Sequence, residues 1–200
     1  MKITKITQQV KRSDRYSVYV DEAYSFSLSE AALLESGIAS GQELTKEQIE
    51  EYKKLSADDK LYNNALRYVA MRRRSRWEMQ FYLERKGASP PLVEIILNKL
   101  SHIHLLDDEA LAQSFVADRQ LLRPTSRRKI MLELKKKRVP EEIISRVLGE
   151  TFAGDGAALR EVIERKRRQT KYQDDQKLMQ YLARQGFNYD DIKTALHQPD

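Results

Sequence analysis

Arginine is the side chain best suited to fork onto phosphate or carboxylate oxygens, and this sequence gathers cations at three places. Arg72-Arg73-Arg74-Ser75-Arg76-Trp77-Glu78 holds four arginines in its first five positions. Arg123-Pro124-Thr125-Ser126-Arg127-Arg128-Lys129 follows, with Lys135-Lys136-Lys137-Arg138 shortly after it, and Arg165-Lys166-Arg167-Arg168 is the third. The chemistry on offer is capture of an anion without bond making. Some of it is helix-end chemistry, because cations near a helix C-terminus compensate the macrodipole. Arg76 is different. It follows a helix cap, at the positive end of the next helix, where a cation needs an outside anion or a carboxylate such as Glu78 or Glu84. Lys135 to Arg138 span most of a helical turn, so they cannot all face one partner. The candidate anion-binding residues are Arg72, Arg73, Arg74, Arg76, Arg123, Arg127, Arg128, Lys135, Lys136, Arg167 and Arg168.

Other chemistries find no residues to carry them. Nucleophile elbow, phosphate loop, zinc motif and dinucleotide fingerprint are all missing, so no catalytic residue and no cofactor is expected. The chain has no cysteine and three histidines. His102 and His104 lie near Asp107 and Asp108, but the spacing shows no metal-ligand geometry, and no metal is expected. The opening MKITKITQQVKR lacks the apolar stretch of a signal peptide, and no run reaches the length of a membrane span. A cytoplasmic protein is expected. Net charge is +6 and the pI about 9.4. Residues 1–55 hold eight Lys or Arg against nine Asp or Glu, whereas the other 145 hold 28 against 21. The basic character therefore belongs to the later part, which suits a polyanion or an acidic protein surface.

What positions the cations is a repeat. Leu83, Leu134 and Leu182 lie 51 and 48 residues apart, within the range of helical arrays. Eight residues before each stands a good N-cap, Ser75, Ser126 or Asp174; with Ser75, Glu78 completes a capping box. Five residues after each come Ala88, Val139 and Phe187, then Ser89, Pro140 and Asn188 at a second helix start. Apolar residues return with helical spacing at Val93, Ile96 and Leu97; Ile144, Val147 and Leu148; Ile192, Ala195 and Leu196. Another helix precedes each cap, near 61–73, 109–122 and 156–171. Leu105 and Leu106 read as an apolar plug between units, Asp107 and Asp108 as caps of the next helix, and Gly154-Asp155-Gly156 as a flexible joint. With a mean hydropathy of -0.68, one small core per unit fits better than one large core.

The first segment differs in kind. Lys2–Thr7 alternates weakly, while Arg15–Val20 and Tyr24–Leu28 alternate cleanly around a turn at Asp21-Glu22-Ala23. This predicts a β-hairpin or three-stranded meander, with Tyr16, Val18 and Val20 on one face and Tyr19 on the other. Ser27 with Glu30 reads as the start of a short helix ended by Gly37. Thr45 with Gln48 opens a further helix through about Lys53. The expected organisation is a β-rich module with a short helix at 1–45, a helical connector at 46–60, and three-helix repeats at 61–106, 107–153 and 154–200. The fold class is mainly α: tandem three-helix, helix-turn-helix-like repeats in an elongated, curved arrangement. If the units stack regularly, their basic corners line one side of a strip.

The third helices begin with Pro90-Pro91-Leu92, Glu141-Glu142 and Asp190-Asp191. Carboxylates at a groove-entering tip would oppose phosphates, so contact with DNA is expected at phosphates and independent of sequence. These residues together resemble the RecX family, bacterial regulators of the RecA recombinase. Arg72-Arg73-Arg74-Ser75 with Glu78-Met79 is similar to the family's first corner, and Leu83-Glu84-Arg85-Lys86-Gly87 to its turn. Leu105-Leu106-Asp107-Asp108-Glu109, with Ala112 and Arg119, is similar to its joint. Arg138 departs from the family's usual Gly, and Met79 from its Leu.

The resemblance implies a non-catalytic monomer active in DNA repair and recombination. It would bind in the groove of the RecA–DNA filament and limit strand exchange and ATP hydrolysis, touching single- or double-stranded DNA through phosphates. Two other readings stay open: a free-standing, sequence-independent DNA-binding protein, and a helical scaffold for another partner.

Overall fold

The computed structural model describes residues 1–197. Among them, three strands precede ten α-helices, one fewer than the helical spacing predicts, because two expected helices run on as one. Packing divides the chain into two compact units. One is Met1–Arg72 with Met79–Ile103, and the other is Arg73–Glu78 with the chain from His104 onward.

The first unit opens with an antiparallel meander of β1 (Ile3–Gln9), β2 (Arg12–Val20) and β3 (Ala23–Ser29). Val20 pairs with Ala23, so the β2–β3 loop is the dipeptide Asp21-Glu22, with φ of 48° and 71°. Two left-handed residues match the twist of a tight hairpin. Val18, Val20, Phe26 and Leu28 form a core with Ile3, Ile38, Leu44 and Ile49. Tyr16 is only half-buried, while Arg15 and Ser17 are buried, and a bulge falls between Val18 and Tyr19. Tyr19 meets Tyr24 edge to face.

Helix α1 (Glu30–Ser36) is capped by Ser29 and closed by Gly37. Ser27, expected as the cap, is instead paired in the sheet opposite Ser17. The capping box of Thr45 and Gln48 forms as expected and opens α2 (Lys46–Ala70). That helix runs 25 residues without a break, so the expected connector and the opening helix of the first repeat are one element. A buried network fixes it to the sheet. Asp59 receives Arg15 (2.8 Å), the Ser29 amide (2.9 Å), the Ser29 hydroxyl (2.6 Å) and the Asn63 amide (2.9 Å). Helices α3 (Arg76–Arg85) and α4 (Pro90–His102) complete the first bundle, burying Val69, Met79, Leu83, Ile96, Leu97 and Leu100.

The second unit contains two bundles. Helices α5 (Asp108–Leu122), α6 (Arg127–Lys136) and α7 (Glu141–Thr151) close around Val116, Ile130, Leu134, Ile144 and Leu148. Helices α8 (Asp155–Arg167), α9 (Asp175–Arg184) and α10 (Tyr189–His197) close around Leu159, Val162, Leu178, Leu182 and Ile192. A short 3-10 turn, Thr170–Tyr172, precedes α9.

The three anchor leucines occupy equivalent places. All are fully buried. Leu83 O accepts from Lys86 and Ala88, Leu134 O from Lys137 and Val139, and Leu182 O from Gln185 and Phe187. The residues between, Gly87, Arg138 and Gly186, have φ of 81°, 56° and 87°. The left-handed helix stop is thus kept in the second bundle by an arginine, although glycine adopts it at less cost.

Candidate polyanion-binding corners

At the first corner, Ser75 and Glu78 cap each other's amides at 3.0 and 3.1 Å. The corner is also a latch. The buried Ser75 hydroxyl donates to Lys137 O at 2.6 Å, and the Arg76 amide donates to Asp108 Oδ1 at 2.9 Å. Lys137 Nζ pairs with Glu78 at 3.2 Å. Asp108 therefore supplies the carboxylate that the N-terminus of α3 requires. It does not cap its own helix, which Asp107 does alone. Burial pushes the Asp108 carboxyl above its ordinary value. The Arg76 amide pulls it down, the neighbouring Asp107 charge pushes it further up, and burial dominates.

The second corner repeats the serine and arginine-amide contacts of the first. Ser126 Oγ accepts the Lys129 amide at 3.2 Å and donates to Gln185 O at 3.0 Å. The Arg127 amide donates to Asp155 Oδ1 at 2.6 Å, and Lys129 Nζ to Gln185 Oε1 at 2.7 Å. Where the first latch sets glutamate against lysine, the second sets lysine against glutamine. Gly186 must stay bare here, because an added Cβ would come within 2.5 Å of Ser126 Oγ. Asp155 is thereby held fast as the first residue of α8, so the expected flexible joint is a fixed point. The third corner is closed by its own residues. Asp174 caps α9, and the Arg167 guanidinium donates to Tyr172 O and Gln173 O and pairs with Asp175.

The candidate cations accordingly fall into different settings. Arg72 and Arg73 are exposed; Arg74 and Arg76 are half-buried. Arg127 is half-buried, with its guanidinium on Leu148 O at 2.9 Å, near the end of α7. Lys135 pairs with Glu141 at 2.7 Å, and Arg168 with Glu164 at 2.6 Å. Arg123, Arg128 and Lys136 face solvent. Arg123 shares a notch of about 210 Å³ with Arg119, Lys129, Glu133, Thr125 and Gln185. Arg119 is oriented there by Glu133 at 2.8 Å and by the Phe115 ring at 4.6 Å. Arg119 and Lys129 were not singled out as binding residues. No spacing signal pairs Arg119 with Arg123, because Arg123 lies just past the end of α5 with non-helical backbone angles.

Four family models match this chain: the regulatory protein RecX N-terminal domain at residues 1–45, and the first, second and third RecX three-helix domains at 62–100, 107–148 and 155–196. The regulatory protein RecX of Lactobacillus johnsonii is 33% identical over 99% of this chain and 74% of its own length. That of Listeria monocytogenes is 31% identical over 98% and 74%. This chain belongs to the RecX family. A crystal structure of regulatory protein RecX covers 98% of it at a TM-score of 0.71 and 27% identity, matching 99% of that chain. RecX from Lactobacillus salivarius covers 70% of it at 0.58 and 25% identity, matching 95% of that chain. RecX proteins are regulatory and non-catalytic, and membership assigns this chain the same character. Among the described residues no helix is long and apolar enough to cross a membrane, and no cluster of His, Asp or Glu could hold a metal ion.

Proposed function

We propose that this RecX chain binds in the groove of the filament that RecA recombinase forms on DNA, and there limits strand exchange and ATP hydrolysis. It would act in the cytoplasm, as a monomer, with 1–45, 46–60 and the repeats at 61–106, 107–153 and 154–200 as its working segments. The reading is carried by one conjunction: a chain alignable with RecX proteins over nearly its whole length keeps Arg123, Arg128 and Lys136 turned to solvent. Arg72 and Arg73 join them as candidate phosphate contacts. Arg127, Arg167 and Arg168 serve local structure first and are secondary candidates.

Retention of the protein on recombinase-coated single-stranded DNA, compared with bare single-stranded DNA, is the direct test. Arg123→Glu, Arg128→Glu and Lys136→Glu combined should weaken retention on the coated strand, because each removes a cation and adds a repulsion. Arg127→Glu is left out because it would also break the cap on Leu148. Unchanged retention and unchanged inhibition of ATP hydrolysis by the triple variant would refute the reading. Equal retention of the native protein on bare and coated DNA would favour a free-standing DNA-binding protein, and retention on neither a scaffold for another partner.

A further inference from the structure

A groove of about 410 Å³ opens in the first compact unit among α1, the middle of α2 and α4. Its floor is apolar: Leu55, Leu66, Leu92, Ile95 and the Tyr62 ring. Ile95 is 51% exposed and Leu55 40%, so part of that floor meets water. The rim is acidic, with Asp14, Glu30, Glu35 and Asp58 around the opening. Asp59 also lines it but is consumed by Arg15, Ser29 and Asn63. One cation reaches the groove: Lys99, whose ammonium lies 5.5 Å over the Tyr62 ring.

We propose that this groove docks a polypeptide segment presenting a lysine or arginine beside a branched or aromatic apolar side chain. Resting on the function proposed above, the segment belongs to the recombinase subunit and not to the DNA. Charge selects this occupant. Four rim carboxylates repel a phosphate backbone, which also offers nothing apolar to the floor. A small polycation would satisfy the rim but leave Ile95 and Leu55 wet. A basic amphipathic segment satisfies both, covering the apolar floor while its cations meet the rim. The phosphate candidates Arg73, Arg123, Arg128 and Lys136 lie in the other compact unit, and Arg72 at the end of this one.

Two full-length variants test it independently: Ile95→Glu, which charges the floor, and Glu35→Lys with Asp58→Lys, which reverses the rim. None of these residues is a helix cap, and thermal melting monitored by circular dichroism checks the fold. Each variant should bind recombinase-coated single-stranded DNA about tenfold more weakly than the native chain. Bare DNA should be bound as tightly as before, within about twofold, or tighter for the reversed rim. Native-like binding of both variants to the coated strand overturns the groove and leaves the proposed function standing. Equal losses on coated and bare DNA also overturn it. A native chain that shows no preference for the coated strand overturns both.

Discussion

Asp108 sits where two demands conflict. Its carboxylate completes the N-terminus of α3 through the Arg76 amide, yet burial raises its pKa. Between the ordinary aspartate value and the raised one, the folded state binds more protons than the unfolded state. Stability therefore falls as pH rises through that window, and the whole cost is present above it. Asp108→Asn keeps an oxygen for the amide and removes the charge. It should be at least as stable as the native chain at pH 7, and its advantage should shrink as pH falls through the window. Asp108→Ala leaves the amide unpaired and should lose about 1–3 kcal/mol. Urea denaturation at several pH values reads both; an asparagine variant no better than the alanine one would contradict this account. The latch itself was not legible in the sequence. Asp107 and Asp108 look alike as caps, and only a backbone brought from 32 residues upstream separates them. Arg138 was legible as a departure, but its outcome was not: the turn keeps its hydrogen bonds and the arginine accepts the left-handed conformation.

Elements were readable where their determinants are local. The boxes at Thr45 and Ser75 each involve residues three apart, and both form. The cap of α1 was misplaced by two residues because Ser27 and Ser29 are equally good caps in isolation. The end of the strand decides between them: both are paired, Ser27 opposite Ser17 and Ser29 opposite Arg15, but Ser29 is the last residue of β3. The length of α2 was missed for a related reason. Its middle is polar, and hydrophobic spacing reads that as a connector. In the fold the same stretch is covered by polar partners, with Ser56 bonded to Ser27 O at 2.6 Å and Asp59 to Arg15 and Ser29. The Arg15–Asp59 pair is 2% and 7% exposed. Breaking such a pair strands a buried charge, so Asp59→Ala should cost about 3–5 kcal/mol. Arg15→Leu combined with Asp59→Leu should cost less than the two single changes added together. Additive losses in denaturant titrations would show that the two residues act separately.

Over the whole molecule, charge was the most legible property and its deployment the least. Composition places the positive excess after residue 55, but a run of cations does not say which ones a fold keeps for itself. Arg127 and Arg167 are spent on backbone carbonyls, and Lys137 on Glu78. On the proposed function, fewer phosphate contacts are expected than the number of basic residues suggests. The logarithm of DNA affinity should fall with the logarithm of salt by about 0.9 per phosphate contacted. Neutralising Arg123, Arg128 and Lys136 to Gln should reduce that slope by about 1 for each residue in contact. The same change at Arg127 and Arg167 should lower stability and leave the slope nearly unaltered. A larger slope change from the second set would reverse the assignment.

The latches also impose an order on synthesis. Ser75 reaches its acceptor only when Lys137, 62 residues later, has been made, and Ser126 waits 59 residues for Gln185. At about 5–20 residues per second, a nascent chain carries each unfinished corner for roughly 3–12 seconds while the ribosome moves on. The first two corners are therefore closed by material that did not exist when their own helices emerged, and a ribosome stalled near residue 130 would leave the first serine open.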